Sequence, residues 1–395
     1  MCAALLAAVL AGCSAGEGDE GGAGELRVYL SVPLHGPAAP NGRAIRDGAV
    51  LAMRAEGGRG TEDSHPLVLR TRDEVPGSGA RARWSPATVA ENARRATSDS
   101  GAIAYVGEFE SGATRVSLPV TNEAAMAQIS PASTAVDLVA PFPGSDDVPE
   151  LVQPSGERSF GRVIPDDEAQ AAAGARWARE LGARRAFVVS DGSEFGEVVA
   201  DEFAGEAEEI GISVEGPRPV AQSAPRAIRS AHPDVVYYGG TAASAFPLLP
   251  RAADAAPAAT IMSTDALLLD RPFLARLGQI ESQLRLTAAA QHPSQLPPQG
   301  QRFVRSFRRQ FGRDPDPYAA YGYEAIALVV DLVQRAGGEA ADRTTIVEEL
   351  FSTRDRDSVL GTYSIDEVGN TTLARMAGYR VRGGRPVFAA SLRAP

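Results

Sequence analysis

Two short stretches place hydroxyls and exposed backbone where a small charged molecule can be held. "YVGEFESGAT" (105–114) reads as a strand ending at Gly107, a turn, and a helix starting near Ser111. In an open parallel sheet such strand ends face helix N-termini, and free N–H groups with the helix dipole suit an anion such as a carboxylate. "ISPAST" (129–134) ends a second strand in small residues. Its backbone groups and the hydroxyls of Ser133 and Thr134 can hold both a carboxylate oxygen and an ammonium. For Ser111, Ser133 and Thr134 alike, the ordinary alternative is a helix N-cap.

Groups for catalysis are sparse. The chain has no lysine, so it carries no P-loop. Its four histidines are His35, His65, His232 and His292; three directly precede Pro, and no pair has metal-ligand spacing. The pattern G-x-S-x-G occurs once, as "GCSAG" (12–16), outside any strand–turn–helix, and is a chance match. A net charge of −11 argues against a nucleic-acid partner, which wants clustered basic residues. These features point to a binding protein rather than an enzyme, with no cofactor and no metal.

The elements that must position these groups alternate. "LRVYLSV" (26–32) is a strand, "NGRAIRDGAVLAMRAEGG" (41–58) an amphipathic helix, "LVLRTRDEV" a strand, "PATVAENARRATSDSG" a helix, "AIAYVGEF" a strand, "ATRVSLPVTNEA" a helix and "MAQISPA" a strand. Repeated β-α-β implies parallel sheet with right-handed crossovers. Residues 133–165 interrupt this with five prolines, as a surface excursion or a domain crossing does. The alternation resumes at "DDEAQAAAGARWARELG" (166–182), a helix with Asp166 or Asp167 as N-cap. It runs on through strands "RRAFVVSD", "ISVEG", "VVYYGG" and "TIMST", with helices between them and a proline-interrupted one at "SAFPLLPRAADAA". A second Pro-rich crossing, "PSQLPPQG" (293–300), precedes helices at about 301–312, 318–337 and 344–352 and short strands near 361–365, 377–382 and 386–390. A chain of 395 residues suits two domains of ordinary size.

At the N-terminus, "MCAALLAAVLAG" is an apolar run too short to span a bilayer, of the length of a signal-peptide core. It ends in Leu10-Ala11-Gly12-Cys13, which resembles a bacterial lipobox; that resemblance implies cleavage before Cys13 and lipidation of its thiol. Residues 14–25 have almost nothing apolar to bury and read as a solvated tether. A short apolar N-terminal helix or strand with a buried Cys is the alternative.

An ordered set of segments over about residues 26–390 resembles the periplasmic substrate-binding proteins of branched-chain amino acid ABC transporters, the leucine/isoleucine/valine-binding family. The segments are "VPLHGPAAPNG" (32–42), "RDGAVLA", "VGEFESGAT", "LPVTNEA", "ISPAST", "RVIPDDEAQ", "DGSEFGEVVADEF", "PDVVYYGG", "PYAAYGYEAIALV" and "GTYSIDEVGN". The resemblance implies an α/β type I periplasmic-binding fold, two parallel-sheet lobes joined by three crossings. It puts lobe 1 at 26–165 plus 290–370 and lobe 2 at 166–289 plus 371–395, after a signal peptide (1–12) and a lipidated tether (13–25). The family's α-carboxylate grip falls on Ser111, Ala132 and Thr134, with Ser133 beside them. Its acidic partner for the ammonium falls on Asp265, whose alternative is a helix N-cap. The side-chain pocket falls on Phe195, Tyr238 and Tyr318, whose alternative is core packing. Asn41 stands where the family often has an aromatic. Glu108 and Glu110 flank the grip, and either of them facing the cleft favours a cationic or amide ligand. The implied role is capture of a branched-chain or similar amino acid by a monomeric, lipid-anchored extracytoplasmic protein for a separate permease and ATPase. The alternatives are a ligand-sensing lipoprotein serving a membrane receptor or kinase, or a binder of an amide or small organic acid.

Overall fold

The computed structural model describes residues 24–55, 66–79, 82–141, 145–219 and 225–395. The apolar N-terminal run, Cys13 and all but the end of the tether lie outside the described residues. Strand β1 (Leu26–Val32) is apolar in sequence and buried along its whole length. It pairs in parallel with β2 (Leu67–Asp73) on one side and β3 (Ala102–Val106) on the other. With β4 (Ala127–Ser130) and β5 (Phe160–Arg162) they form a five-stranded sheet in the order β2-β1-β3-β4-β5. Helices α1 (Ala39–Ala55), α2 (Pro86–Ser98) and α3 (Ser111–Glu123) make the crossovers a parallel sheet requires. Ser85 starts α2 by accepting from the Thr88 amide, with Pro86 in the first turn, where a missing N–H costs nothing.

The chain then leaves this sheet. Helix α4 (Asp167–Glu180), β6 (Arg185–Ser190), α5 (Glu194–Glu209), β7 (Ser213–Pro219), α6 (Pro225–Ala231), β8 (Val235–Gly239), α7 (Ala242–Ala255) and β9 (Thr260–Ser263) follow. Two single-turn helices, α8 (Asp265–Leu268) and α9 (Arg271–Leu274), lead to β10 (Leu284–Ala288). The return passage supplies α10 (Pro298–Phe311), α11 (Pro317–Ala336), α12 (Arg343–Phe351) and the two-residue strands β11 (Arg356–Asp357) and β12 (Thr362–Tyr363). A third passage ends in the antiparallel hairpin β13 (Arg375–Arg382) and β14 (Arg385–Arg393), which joins β10 to complete a seven-stranded sheet ordered β14-β13-β10-β9-β8-β6-β7.

Four details differ from the sequence reading. Strand β10, "LRLTA", is unanticipated, and so is β5, a three-residue strand inside the Pro-rich stretch. Helix α7 runs unbroken through Pro247 and Pro250. The closing hairpin is longer than the short strands expected, and the strand near 361–365 shrinks to two residues.

One close approach sets the cleft-facing end of the first lobe. Helices α1 and α11 pack so tightly that a Cβ on Gly48 would lie 1.9 Å from the Ala319 carbonyl oxygen. A Cβ on Gly322 would lie 2.2 Å from that of Ile45. Only glycine permits these crossings. They fix the first turn of α11, which carries Tyr318, against α1, which carries Asn41. In the second lobe Phe203 and Tyr237 stack at 3.8 Å between helix and sheet.

Candidate functional site

The strand ends and helix N-termini of both sheets open on a cavity of about 700 Å³. From the first lobe it is lined by Phe109, Glu110, Ser111, Arg115, Ala132, Thr134 and Asp137; from the second by Asp167, Glu194, Phe195, Thr241, Asp265 and Leu269. Tyr318 closes one end. Ser111, Ala132, Thr134, Phe195, Asp265 and Tyr318, all singled out in the sequence, are therefore brought together. Asn41 lies in an adjoining cavity of about 360 Å³ that shares Asp265, Leu269 and Tyr318 with the first.

Two of the sequence-predicted residues stand behind the wall. Ser133 is fully buried, and its hydroxyl donates to the Glu108 carbonyl at 3.1 Å. Tyr238 is also fully buried, and its hydroxyl donates to the Thr241 carbonyl at 2.8 Å, so it props the loop that faces the cavity. Alternation along β8 explains this: Tyr237 and Tyr238 point to opposite faces of a sheet that is covered on both.

Side chains already hold the amides of the 130–135 loop. Ser130 Oγ accepts from the Ala132 and Ser133 amides, at 3.1 and 2.8 Å. Ser111 Oγ accepts from those of Thr134 and Ala135, at 3.2 Å each. The backbone expected to be free is thus preorganised by two serines, and Ser111 keeps its own O–H to donate. The N-cap position of α3 falls on Glu110 rather than Ser111, without a side-chain cap bond. Fully buried Arg162 fixes the loop from below: Nε donates to Asn370 at 2.7 Å, Nη1 to the Ala135 carbonyl at 2.8 Å and to that of Ser133 at 3.4 Å.

Two acids share the cavity with this loop: Asp265, and Asp167, whose amide donates to the Thr134 carbonyl at 3.0 Å. Thr264 is the N-cap of α8, so Asp265 is not the cap and its carboxyl turns to the cavity. Gln170 and the Ala289 amide hydrogen-bond to it, while burial lifts it to about 6. Asp167 is the residue the sequence reading missed. Asp166 accepts from the Ala169 amide and caps α4, which leaves Asp167, 6% exposed, directed at the cavity. Burial lifts the Asp167 carboxyl to about 7; the Thr134 hydroxyl opposes the shift and Asp265 adds to it. Arg115, the one basic side chain lining this cavity, is engaged by Asp137 through two contacts of 2.6 and 2.7 Å. The cavity thus holds the Ser111 hydroxyl and two acids without an ion-paired base, with the Thr134 hydroxyl bonded to Asp167. Its ends are aromatic, with Phe109 edge-on to Tyr318 at 5.2 Å and Phe195 across from them.

The flanking glutamates part company. Glu110 lines the cavity and accepts from Trp84 Nε1 at 2.8 Å. Glu108 points away from it; fully buried, it accepts from the Tyr105 hydroxyl at 2.6 Å beside buried Glu74, and burial raises both carboxyls. Among the described residues no group of three or more His, Cys, Asp or Glu could hold a metal ion. Among them, too, no helix is long and apolar enough to cross a membrane.

Comparison with known proteins agrees with this architecture. A family model described as periplasmic binding protein matches residues 25–385. A Leu/Ile/Val-binding protein homolog of Brucella melitensis is 24% identical over 366 residues, 91% of each chain. The solved leucine-binding protein LivK of Thermotoga maritima superposes with a TM-score of 0.70 at 23% identity, over 93% of this chain and 99% of that one. A solute-binding protein from R. palustris in complex with benzoate superposes with a TM-score of 0.65 at 20% identity, over 94% and 97%.

Proposed function

Because the chain belongs to the periplasmic binding protein family, we propose that it captures an α-amino acid of the branched-chain or a related type between its lobes. Delivery goes to an ABC permease on a separate chain, from the extracytoplasmic face, with Cys13 as the lipidated anchor. The observation that carries the reading is that Ser111 and the 130–135 loop share one cavity with two acids, Asp265 and Asp167. A zwitterion needs donors at one end and an anion at the other, and Ser111 and Asp265 bring one of each to this cavity. Closure of the lobes removes water and strengthens both contacts. The names of the relatives, a Leu/Ile/Val-binding protein homolog in Brucella and a leucine-binding protein in Thermotoga, support an amino acid. A benzoate, as held by the R. palustris neighbour, would leave the two acids without a cation. Isothermal titration of the mature chain with leucine, isoleucine, valine, glutamate and benzoate tests it. Saturable binding of at least one amino acid is expected; binding of benzoate alone, or of none, refutes it.

A further inference from the structure

We infer that the preferred ligand is an α-amino acid whose side chain ends in a carboxylate, seated between Arg271 and Arg385. This rests on the reading above that the main cavity takes an amino acid. A ligand with its ammonium at Asp265 has its Cα beside the three residues common to both cavities, Asp265, Leu269 and Tyr318. Its side chain then points toward the second cavity, which the same three residues line and whose 360 Å³ exceeds what four apolar carbons fill. The walls there are not those of an apolar pocket. Arg271, from α9, and Arg385, from the start of β14, line it, and neither makes a salt bridge with a described residue. Asp316 lies in the same wall, but its carboxyl caps α11 by accepting from the Tyr318 amide at 3.3 Å. It also lies in the field of Arg313 as well as that of Arg271. Asp265, the remaining acid there, is taken by the ligand's ammonium. Arg271 and Arg385 are exposed planar guanidinium groups that suit a carboxylate, which they can grip through paired N–H donors, although Arg271 also lies in the field of Asp316.

Titration calorimetry of the mature protein near neutral pH, with glutamate, α-aminoadipate, glutamine and leucine, tests this. At least one of the two acids should bind about tenfold or more tightly than glutamine, which matches glutamate in size but lacks the charge. The double variant R271Q/R385Q should erase that preference while its affinity for leucine stays within about threefold. A melting temperature near wild type shows that the variant is folded. Glutamine or leucine binding as tightly as both acids, or an acid preference that survives in the double variant, overturns the inference and leaves the amino-acid reading standing. Binding of no amino acid overturns both.

Discussion

Asp166 and Asp167 are adjacent, chemically identical and directed to different ends: the first caps α4 through the Ala169 amide at 2.9 Å, and the second faces the interlobe cavity. Replacing each should separate stability from binding. Asp166→Ala removes a cap and should lower unfolding free energy by about 1 kcal/mol in chemical denaturation. Asp167→Asn should keep the fold, raise stability near neutral pH by removing a buried ionisable acid, and weaken amino-acid binding by about 10- to 100-fold, the loss of a charge-assisted contact. Equal affinity in Asp167→Asn and wild type would show that the carboxyl does not meet the ligand.

Asp265→Ala should weaken amino-acid binding by a similar factor, about 10- to 100-fold by calorimetry. Since Thr264 already caps α8 and the buried carboxylate costs stability once ionised, the variant should not lose melting temperature near neutral pH. Unchanged affinity would remove Asp265 from the site.

The two acids also make stability and binding respond to pH in opposite senses. Burial raises Asp167 from 3.8 to about 7 and Asp265 from 3.8 to about 6. An acid raised on folding binds more protons in the native state than in the unfolded chain. Its contribution to stability is fully present below about 3.8 and is lost as pH rises through the folded values, about 6 and about 7. Melting temperatures of the ligand-free protein across this window should fall with pH from this source, and Asp167→Asn should flatten the fall. Affinity for a cationic ammonium should rise over the same window, as the carboxyls ionise. A slope identical in wild type and Asp167→Asn would detach Asp167 from it.

Arg162 touches no ligand in this arrangement, yet its fork holds the Ser133 and Ala135 carbonyls and Asn370. Arg162→Lys keeps the charge and loses the fork. It should cost about 1–3 kcal/mol in denaturation and weaken binding by way of the displaced 130–135 loop. Intact affinity in a folded variant would show that the loop keeps its shape unaided.

Cys13 lies outside the described residues, so the anchor is a matter for fractionation. The wild-type chain should sediment with membranes and a Cys13→Ser chain should appear in the soluble fraction; retention would refute lipidation at this position.

Much of the fold was legible because strand and helix periods alternate so regularly. The failures are local. Strand β10 runs directly into "AAQHP", and the alanines blur its end. Strand β5 is three residues long and ends in Arg162, a buried charge that contradicts any hydrophobic pattern. At the site, resemblance located Ser111, Thr134 and Asp265 on the cavity wall. It could not separate Tyr238, behind the wall, from residues on it, because a strand covered on both faces shows no polar alternation. Asp167 was hidden by its neighbour: either aspartate can cap a helix, and only the backbone decides which of them does.

The bond from Arg162 to Asn370 joins residues 208 positions apart, and the Arg162 amide also donates to the Gly369 carbonyl at 3.0 Å. Arg162 ends the segment that first leaves one sheet for the other, and Asn370 sits on the last segment to do so. Two strips of backbone fastened side by side cannot flex independently. Under the proposed closure the joint would act like the spine of a book, turning about one axis and resisting twist, so that the two pages would meet in the same register each time.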